Sequence, residues 1–239
     1  MISIVIPTKN EESVIEKTLT YLAAYSGEKE IIISDGGNTD RTIEIAKLYT
    51  DKIVMFSGPR RQTIAHTRNA GAQIAKGEFL VFLDADVRIE EPNIFFQRLL
   101  DIFNEKKQYN AITVKIRVIP SMATRADTII FYILDVYFLV LNNLFHFGGA
   151  SGKFQMIRRE AFEKIGGFNE KLVAAEDGDL FQRLAKIGRT YFDWGRMIYH
   201  TGRRAHRIGW PKLLWQWNTN FLSVLFFHRS VQKEWEEIR

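Results

Sequence analysis

An α/β fold, a mostly parallel sheet with helices on both faces, is what three features of this sequence predict. Its first third alternates short β-branched runs with helix-length amphipathic stretches. Three of those runs end in a polar cluster, and no repeat or low-complexity linker interrupts the chain. Strand–helix alternation is the signature of right-handed βαβ units. At 239 residues, 46% of them hydrophobic, the chain suits one well-buried core rather than two.

Taken in order, the runs at 2–6, 30–34, 52–56 and 79–83 predict strands, and the stretches at 11–24, 39–49 and 62–76 predict helices between them. The second half predicts a strand at 111–118, a long apolar stretch at 129–147 and a Gly-rich loop at 148–152. A further strand, a short helix and the turn Gly166-Gly167-Phe168 then lead to an acidic helix start at Glu176-Asp177. In such sheets ligands sit outside the carboxyl ends of the strands. Residues 7–11, 35–38 and 84–86 are the polar clusters at those ends, and together they predict one site.

Composition narrows the chemistry. The absence of cysteine excludes disulfides, thiolate metal sites and a cysteine nucleophile. A formal charge of +5 suits an anionic ligand. Nucleic acid is not expected, because the basic residues are diluted by 28 acidic ones and crowd towards the C-terminus instead of interleaving with aromatics. The first strand begins directly after Met1, leaving no room for a leader, so a cytoplasmic location is expected.

The strongest local signal is Phe82-Leu83-Asp84-Ala85-Asp86, an apolar strand running into two carboxylates one residue apart. Alternate residues of an extended segment point the same way, so Asp84 and Asp86 can converge on one ligand. Hard divalent cations such as Mn²⁺ or Mg²⁺ take oxygen ligands and keep room for substrate phosphates. The bland alternative is that the two acids cap the following turn.

With Ile4-Val5-Ile6-Pro7-Thr8-Lys9-Asn10-Glu11-Glu12, Ser34-Asp35-Gly36-Gly37-Asn38-Thr39-Asp40-Arg41-Thr42, Arg68-Asn69-Ala70-Gly71, Asp84-Ala85-Asp86, Gly166-Gly167-Phe168 and Glu176-Asp177, the chain resembles the family-two inverting glycosyltransferases over roughly residues 2–190. The resemblance implies a GT-A type, Rossmann-like sheet and a divalent metal. It implies transfer from a nucleotide diphosphate sugar (a UDP- or GDP-sugar) to a hydroxyl of a glycan or lipid-linked acceptor. Pro7, Thr8 and Glu11 would line the nucleoside pocket, Asp35 would contact the base, and Arg68 would lie near the nucleotide. Asp84 would lie near the ribose or sugar, Asp86 on the metal, and Asp177 would be the general base. The chain departs from the family at Ser34-Asp35, where one carboxylate stands in place of a common pair.

Helical spacing supports the choice of Asp177. It lies three and four residues before Leu180 and Phe181, on the apolar stripe that continues through Leu184 and Ile187, and so points inward. Asp179 instead precedes Arg183 by four positions, as a surface ion pair would. A capping role is the alternative for Asp177. The basic segment 200–207 offers Arg204 to the diphosphate and His200 as a further metal ligand, with His206 as the other imidazole.

Residues 129–141 are apolar or aromatic except Asp135, too short and too charged for a span. A helix lying in a membrane interface is expected, joined by an amphipathic C-terminal segment carrying Trp210, Leu213, Leu214, Trp217, Phe221 and Leu225 at helical spacing. The predicted division is a catalytic domain at 1–205 and a helical extension at 206–239. Two other function classes fit less well. A nucleotidyltransferase needs a better triphosphate cradle than 7–12, and a membrane-associated scaffold leaves Asp84, Asp86 and Asp177 without a purpose.

Overall fold

The computed structural model describes residues 1–55 and 63–232. Its elements are β1 (Ile2–Thr8), α1 (Ile15–Ala23), β2 (Lys29–Asp35), α2 (Thr42–Ala46), β3 (Ile53–Val54), α3 (Ile64–Ile74), β4 (Phe79–Leu83), α4 (Pro92–Glu105), β5 (Tyr109–Val118) and α5 (Arg125–Leu139). A π-helical turn (Val140–Leu144) follows, then β6 (Phe154–Arg158), α6 (Arg159–Lys164), α7 (Glu176–Ala185), β7 (Arg189–His200), α8 (Arg203–Ile208) and α9 (Trp210–Phe227). The end of the expected strand 52–56, the start of the expected helix 62–76 and the last seven residues of the 206–239 extension lie outside the described residues.

The strands form one sheet in the order β3-β2-β1-β4-β6-β5-β7. Every neighbouring pair is parallel except those made by β6, which runs antiparallel to both β4 and β5. That reversal matters for the site. Because Leu83 pairs with Phe154, the Gly-rich loop that precedes β6 is delivered to the carboxyl end of β4, beside Asp84.

Alternation along the strands feeds two cores. Ile4 and Ile6 of β1 face one side, with Leu19 and Leu22 of α1, Phe95, Phe96 and Leu99 of α4 and Trp210 of α9. Val5 faces the other, with Phe82, Phe162, Leu180, Phe181 and Leu184. The sequence reading missed α4, although its Pro92 at the first turn and buried Phe95, Phe96, Leu99, Ile102 and Phe103 carry a helical period. It also left β7 unassigned. There a register irregularity between Val114 and Lys115 of β5 interrupts the pairing, and Asp193-Trp194-Gly195-Arg196 breaks the alternation.

Helix α1 begins at Ile15, not at residue 11. Asn10 adopts a left-handed backbone (φ 53°), and residues 10–12 are tied sideways to the loop after β2: the Asn10 N–H donates to Asn38 Oδ1 at 2.5 Å, the Glu11 N–H to Thr42 Oγ1 at 2.7 Å and the Glu12 N–H to Asp40 Oδ2 at 3.1 Å. The expected stripe of α7 is buried at Leu180, Phe181 and Leu184, but Ile187 lies past the helix end and is exposed.

The C-terminal stripe turns towards protein. Trp210 and Leu213 belong to the main core and Leu214 and Trp217 pack against it, while Trp215, Leu222, Phe226 and Phe227 are the exposed apolar residues of α9. The expected boundary at 205/206 falls inside α8. Among the described residues, 125–144 is the one helical stretch long and apolar enough to cross a membrane by length and composition. Its Asp135 is buried and paired with Arg117, and Ile129, Tyr132, Ile133, Val136, Tyr137 and Leu144 are exposed.

The π-helical turn brings two consecutive asparagines to different partners. Asn142, fully buried, donates to the carbonyls of Phe138 and Gly149, each at 2.7 Å, and accepts from the Gly149 N–H at 3.2 Å. Asn143 exchanges hydrogen bonds with the backbone of Phe192 in β7, at 3.1 and 2.8 Å.

Candidate active site

At the carboxyl rim of the sheet, acidic and basic side chains alternate in an unbroken series. Glu11 grips Arg203 in a bidentate pair at 2.6 and 2.7 Å. Arg203 Nε lies 3.8 Å from Asp86 Oδ2, which also accepts from Thr201 Oγ1 at 2.6 Å. Lys153 Nζ stands between Asp86 Oδ1 at 2.8 Å and Asp84 Oδ2 at 3.1 Å. The other oxygen of Asp84 meets Arg68 Nη2 at 3.2 Å, and Arg68 Nη1 meets Glu176 Oε1 at 2.8 Å. Asp177 follows Glu176 in the chain.

Local structure explains the arrangement. Asp84 and Asp86 leave β4 where the strand ends, as the extended spacing predicts. Arg68 projects from α3 and is 1% exposed, not the surface pair that a helix arginine usually makes. Its guanidinium also donates to the Gly152 carbonyl at 2.9 Å and sits 5.3 Å from the centre of the Phe168 ring. Gly152 is required here: a side chain at that position would come within 2.7 Å of Arg68 Nη2 and 3.3 Å of Asp177 Oδ2.

Asp177 is not the N-cap residue of α7, although its carboxylate serves the first turn. The residue at the cap position is Ala175, in a left-handed conformation (φ 63°) and with no side-chain hydrogen bond, and Asp177 accepts from the Gly178 N–H at 2.8 Å. Asp179 pairs with Arg183 at 2.7 Å, as the spacing predicts.

Burial sets the proton affinities. It raises the pKa of Asp177, against the opposing pull of Arg68. It pushes Glu176 up to about 7, helped by the neighbouring Asp177 charge. Burial also acts on Asp86, but Lys153 and Arg203 overcome it and hold that carboxyl well below the usual range. His200 is driven down to about 4 by burial and by Lys153, so the imidazole is neutral.

The remaining predicted residues divide by location. Pro7 and Thr8 end β1 beside Ser34 and Asp35 of β2. Asp35 Oδ1 accepts from the N–H groups of Gly37 at 2.9 Å and Asn38 at 2.7 Å, and Thr8 Oγ1 accepts from Asn38 Nδ2 at 2.9 Å. These three lie at the β1–β2 end of the rim, and Glu11 links them to the charged series. Arg203, one residue before the predicted Arg204, is the cation bonded to Glu11 and close to Asp86, because left-handed Gly202 (φ 69°) turns the chain directly ahead of it.

His200 is buried at the end of β7, where its Nδ1 accepts from the Gly202 N–H at 3.1 Å and its Nε2 has no hydrogen-bond partner among the described residues. His206 is turned away, against Asp127 at 2.8 Å. Among the described residues no set of three acidic or imidazole groups is ready-made for a metal. The Lys153 ammonium is nevertheless a stand-in cation: Asp84 and Asp86 do converge on one positive point, and carboxylate oxygens are the donors that Mn²⁺ and Mg²⁺ favour.

Sequence reasoning missed Lys153 and gave Glu176 no role. The available signal for Lys153 was a cation closing a Gly-rich loop immediately ahead of a buried strand. That signal carries weight only once β6 is known to lie beside β4.

Residues 3–166 match the family model described as glycosyl transferase family 2. The O-antigen chain rhamnosyltransferase WbaN of Salmonella anatum is 32% identical over 172 residues, which are 66% of this chain and 52% of that protein. This chain thus spans about half the length of that relative. Among solved structures, S. aureus TarS 1–349 in complex with UDP superposes with a TM-score of 0.66 at 19% identity, covering 83% of this chain and 59% of that one. Mannosyltransferase PcManGT from Pyrobaculum calidifontis, in complex with GDP-Man and Mn²⁺, superposes with a TM-score of 0.66 at 18% identity, covering 84% and 56%. These likenesses show that the fold is that of the GT-A glycosyltransferases.

Proposed function

Because this chain belongs to glycosyl transferase family 2, we propose that it transfers a sugar from a UDP- or GDP-sugar to an acceptor hydroxyl, with inversion and with the help of a divalent cation. The observation that carries the reading is the convergence of Asp84 and Asp86 on one cation beside the partly buried Asp177. Asp84 and Asp86 share the Lys153 ammonium, while Arg203 and Arg68 are each committed to a glutamate as well, and a carboxylate pair of this kind suits a divalent cation that bridges to an anionic diphosphate. The UDP and the GDP-Man with Mn²⁺ held by the two fold relatives support the donor class and the metal.

In this reading Pro7, Thr8, Glu11 and Asp35 receive the nucleoside, and Arg68 and Arg204, with Arg203, face the diphosphate. Asp86 would hold Mn²⁺ or Mg²⁺, and its convergence with Asp84 on one ammonium makes Asp84, which the resemblance sets near the ribose or sugar, a second metal ligand in this proposal; the cation would supply charge neutralisation for the departing diphosphate. His200 would join the two aspartates through Nε2. Asp177 takes the proton from the acceptor hydroxyl as that oxygen attacks the anomeric carbon from the face opposite the leaving group. Burial raises its proton affinity, which favours proton acceptance by a general base.

The test is a thermal-shift screen of UDP- and GDP-sugars with and without Mn²⁺. A hundredfold excess of the right donor over its Kd stabilises by about 2.7 kcal/mol and should raise Tm by about 8 °C in a chain of this size. Asp86→Ala should abolish the metal-dependent part of that shift. An equal shift in the variant with Mn²⁺ present would remove Asp86 from the metal site, and no shift with any donor would favour a scaffold.

The acceptor is read as a glycan or lipid-linked molecule reached at a membrane surface, with the α8–α9 segment and α5 forming the contact. The exposed Ile129, Ile133, Tyr137, Phe226 and Phe227 support this. Removing all of α9 would take Trp210 and Leu213 from the core, so point substitutions are the cleaner probe. Ile133→Glu and Phe226→Glu should each weaken flotation with anionic vesicles by about tenfold, the worth of one buried apolar side chain. If the parent chain fails to float, the exposed residues are protein contacts.

A further inference from the structure

We propose that Lys153 is a tethered counter-cation that occupies the metal position when neither metal nor nucleotide is bound, and that it yields this position when the two arrive together. The inference rests on the reading of Asp84 and Asp86 as the metal-holding pair and adds the order in which that pair is filled.

Geometry puts Lys153 in direct competition with a metal. Its ammonium lies 2.8 Å from Asp86 Oδ1 and 3.1 Å from Asp84 Oδ2. A divalent ion bound to either oxygen would stand about 2.0–2.2 Å from it and would share the space with a like charge. The two positions exclude each other.

The other rim cations are built differently. Arg203 is clamped by both oxygens of Glu11, and Arg68 is held by Glu176, the Gly152 carbonyl and the Phe168 ring. The described partners of the Lys153 ammonium are Asp84 and Asp86 alone. Lys153 is also the last residue before β6, where Phe154 pairs with Leu83, so its backbone is anchored while its ammonium sits at the end of a four-carbon stem of rotatable bonds. A point charge on a flexible stem can leave two carboxylates without moving a strand, which a forked guanidinium cannot do.

The ammonium needs an anionic destination, because leaving two carboxylates for water alone returns little. A nucleoside diphosphate bound through the metal brings phosphate oxygens to the same point and provides that destination. Metal alone must therefore displace Lys153 without compensation, whereas metal and diphosphate together displace and re-pair it. The two ligands then strengthen each other's binding, and reciprocally so.

The experiment titrates Mn²⁺ into the full chain, reading free Mn²⁺ by its paramagnetic resonance signal, without nucleotide and with saturating UDP or GDP. The parent is expected to bind Mn²⁺ weakly alone and about tenfold or more tightly with nucleotide. Lys153→Gln and Lys153→Met should bind Mn²⁺ alone about tenfold more tightly than the parent, and the advantage should vanish with nucleotide. Two variants are used so that loss of folding in one, read by circular dichroism, does not remove the measurement. Tight Mn²⁺ binding by the parent without nucleotide, or unchanged affinity in the folded variants, overturns the role of Lys153 and leaves the metal assignment intact. A parent that binds no Mn²⁺ even with nucleotide overturns both.

Discussion

Asp177→Asn is expected to lower turnover by about 10²–10⁴-fold while donor affinity stays within about twofold of the parent. The two effects separate because the carboxylate has two kinds of interaction. Asn keeps an acceptor oxygen for the Gly178 N–H and fits the same space against Gly152, so the loop and the start of α7 should persist. It cannot take a proton from an attacking hydroxyl. In the proposed reading, donor binding rests on groups further along the rim, at Asp86, Asp84 and the β1–β2 end. Single-turnover rates with a saturating donor, alongside calorimetric donor affinity, check the split. Parallel loss of affinity and turnover would make Asp177 a donor ligand, and a turnover near the parent's would exclude it as the base.

Arg68→Met is expected to destabilise the chain by about 3–5 kcal/mol, the cost of removing one partner from a buried ion pair. The guanidinium is 1% exposed and neutralises Glu176, itself buried, while bonding Asp84 and the Gly152 carbonyl. Its loss leaves Glu176 buried without its cation, next to Asp177. At about 2–4 °C per kcal/mol for a chain of this length, Tm should fall by about 6–20 °C. Urea unfolding measures the loss, and Glu176→Gln added to Arg68→Met should restore part of it, since the two residues share one interaction. A cost below about 1 kcal/mol would mean that water reaches the pair.

Much of the site was legible because it is local. Asp84 and Asp86 follow a strand, Pro7, Thr8 and Asp35 end two more, and parallel α/β sheets put such ends on one rim. The four-residue spacing of Asp179 and Arg183 made their ion pair legible, although both aspartates of α7 prove to be partly buried. Lys153 was not legible, since its meeting with Asp84 depends on β6 running antiparallel into an otherwise parallel neighbourhood, and nothing in residues 148–158 announces that direction. Arg203 was not legible beside its neighbour Arg204, since its reach to Glu11 depends on the turn at left-handed Gly202. The aromatic stripe of α9 exposes a different gap: periodicity identifies a face but not the neighbour it meets, and here Trp210 and Leu213 meet the core.

The π-helical turn at Val140–Leu144 acts as a gear between two surfaces. Upstream, α5 carries the exposed apolar side chains; downstream, Asn142 fastens the loop that ends in Gly152 and Lys153, while Asn143 fastens β7. Each residue of an α-helix advances the chain by about 100°. Because Phe131 and the Asp135–Arg117 pair already fix α5 against the sheet, removing the one residue that widens this turn would swing Asn142 and Asn143 by about that angle away from Gly149 and Phe192. The loop that carries Lys153 and the strand that ends at His200 therefore keep their places through a residue count in a single turn of helix.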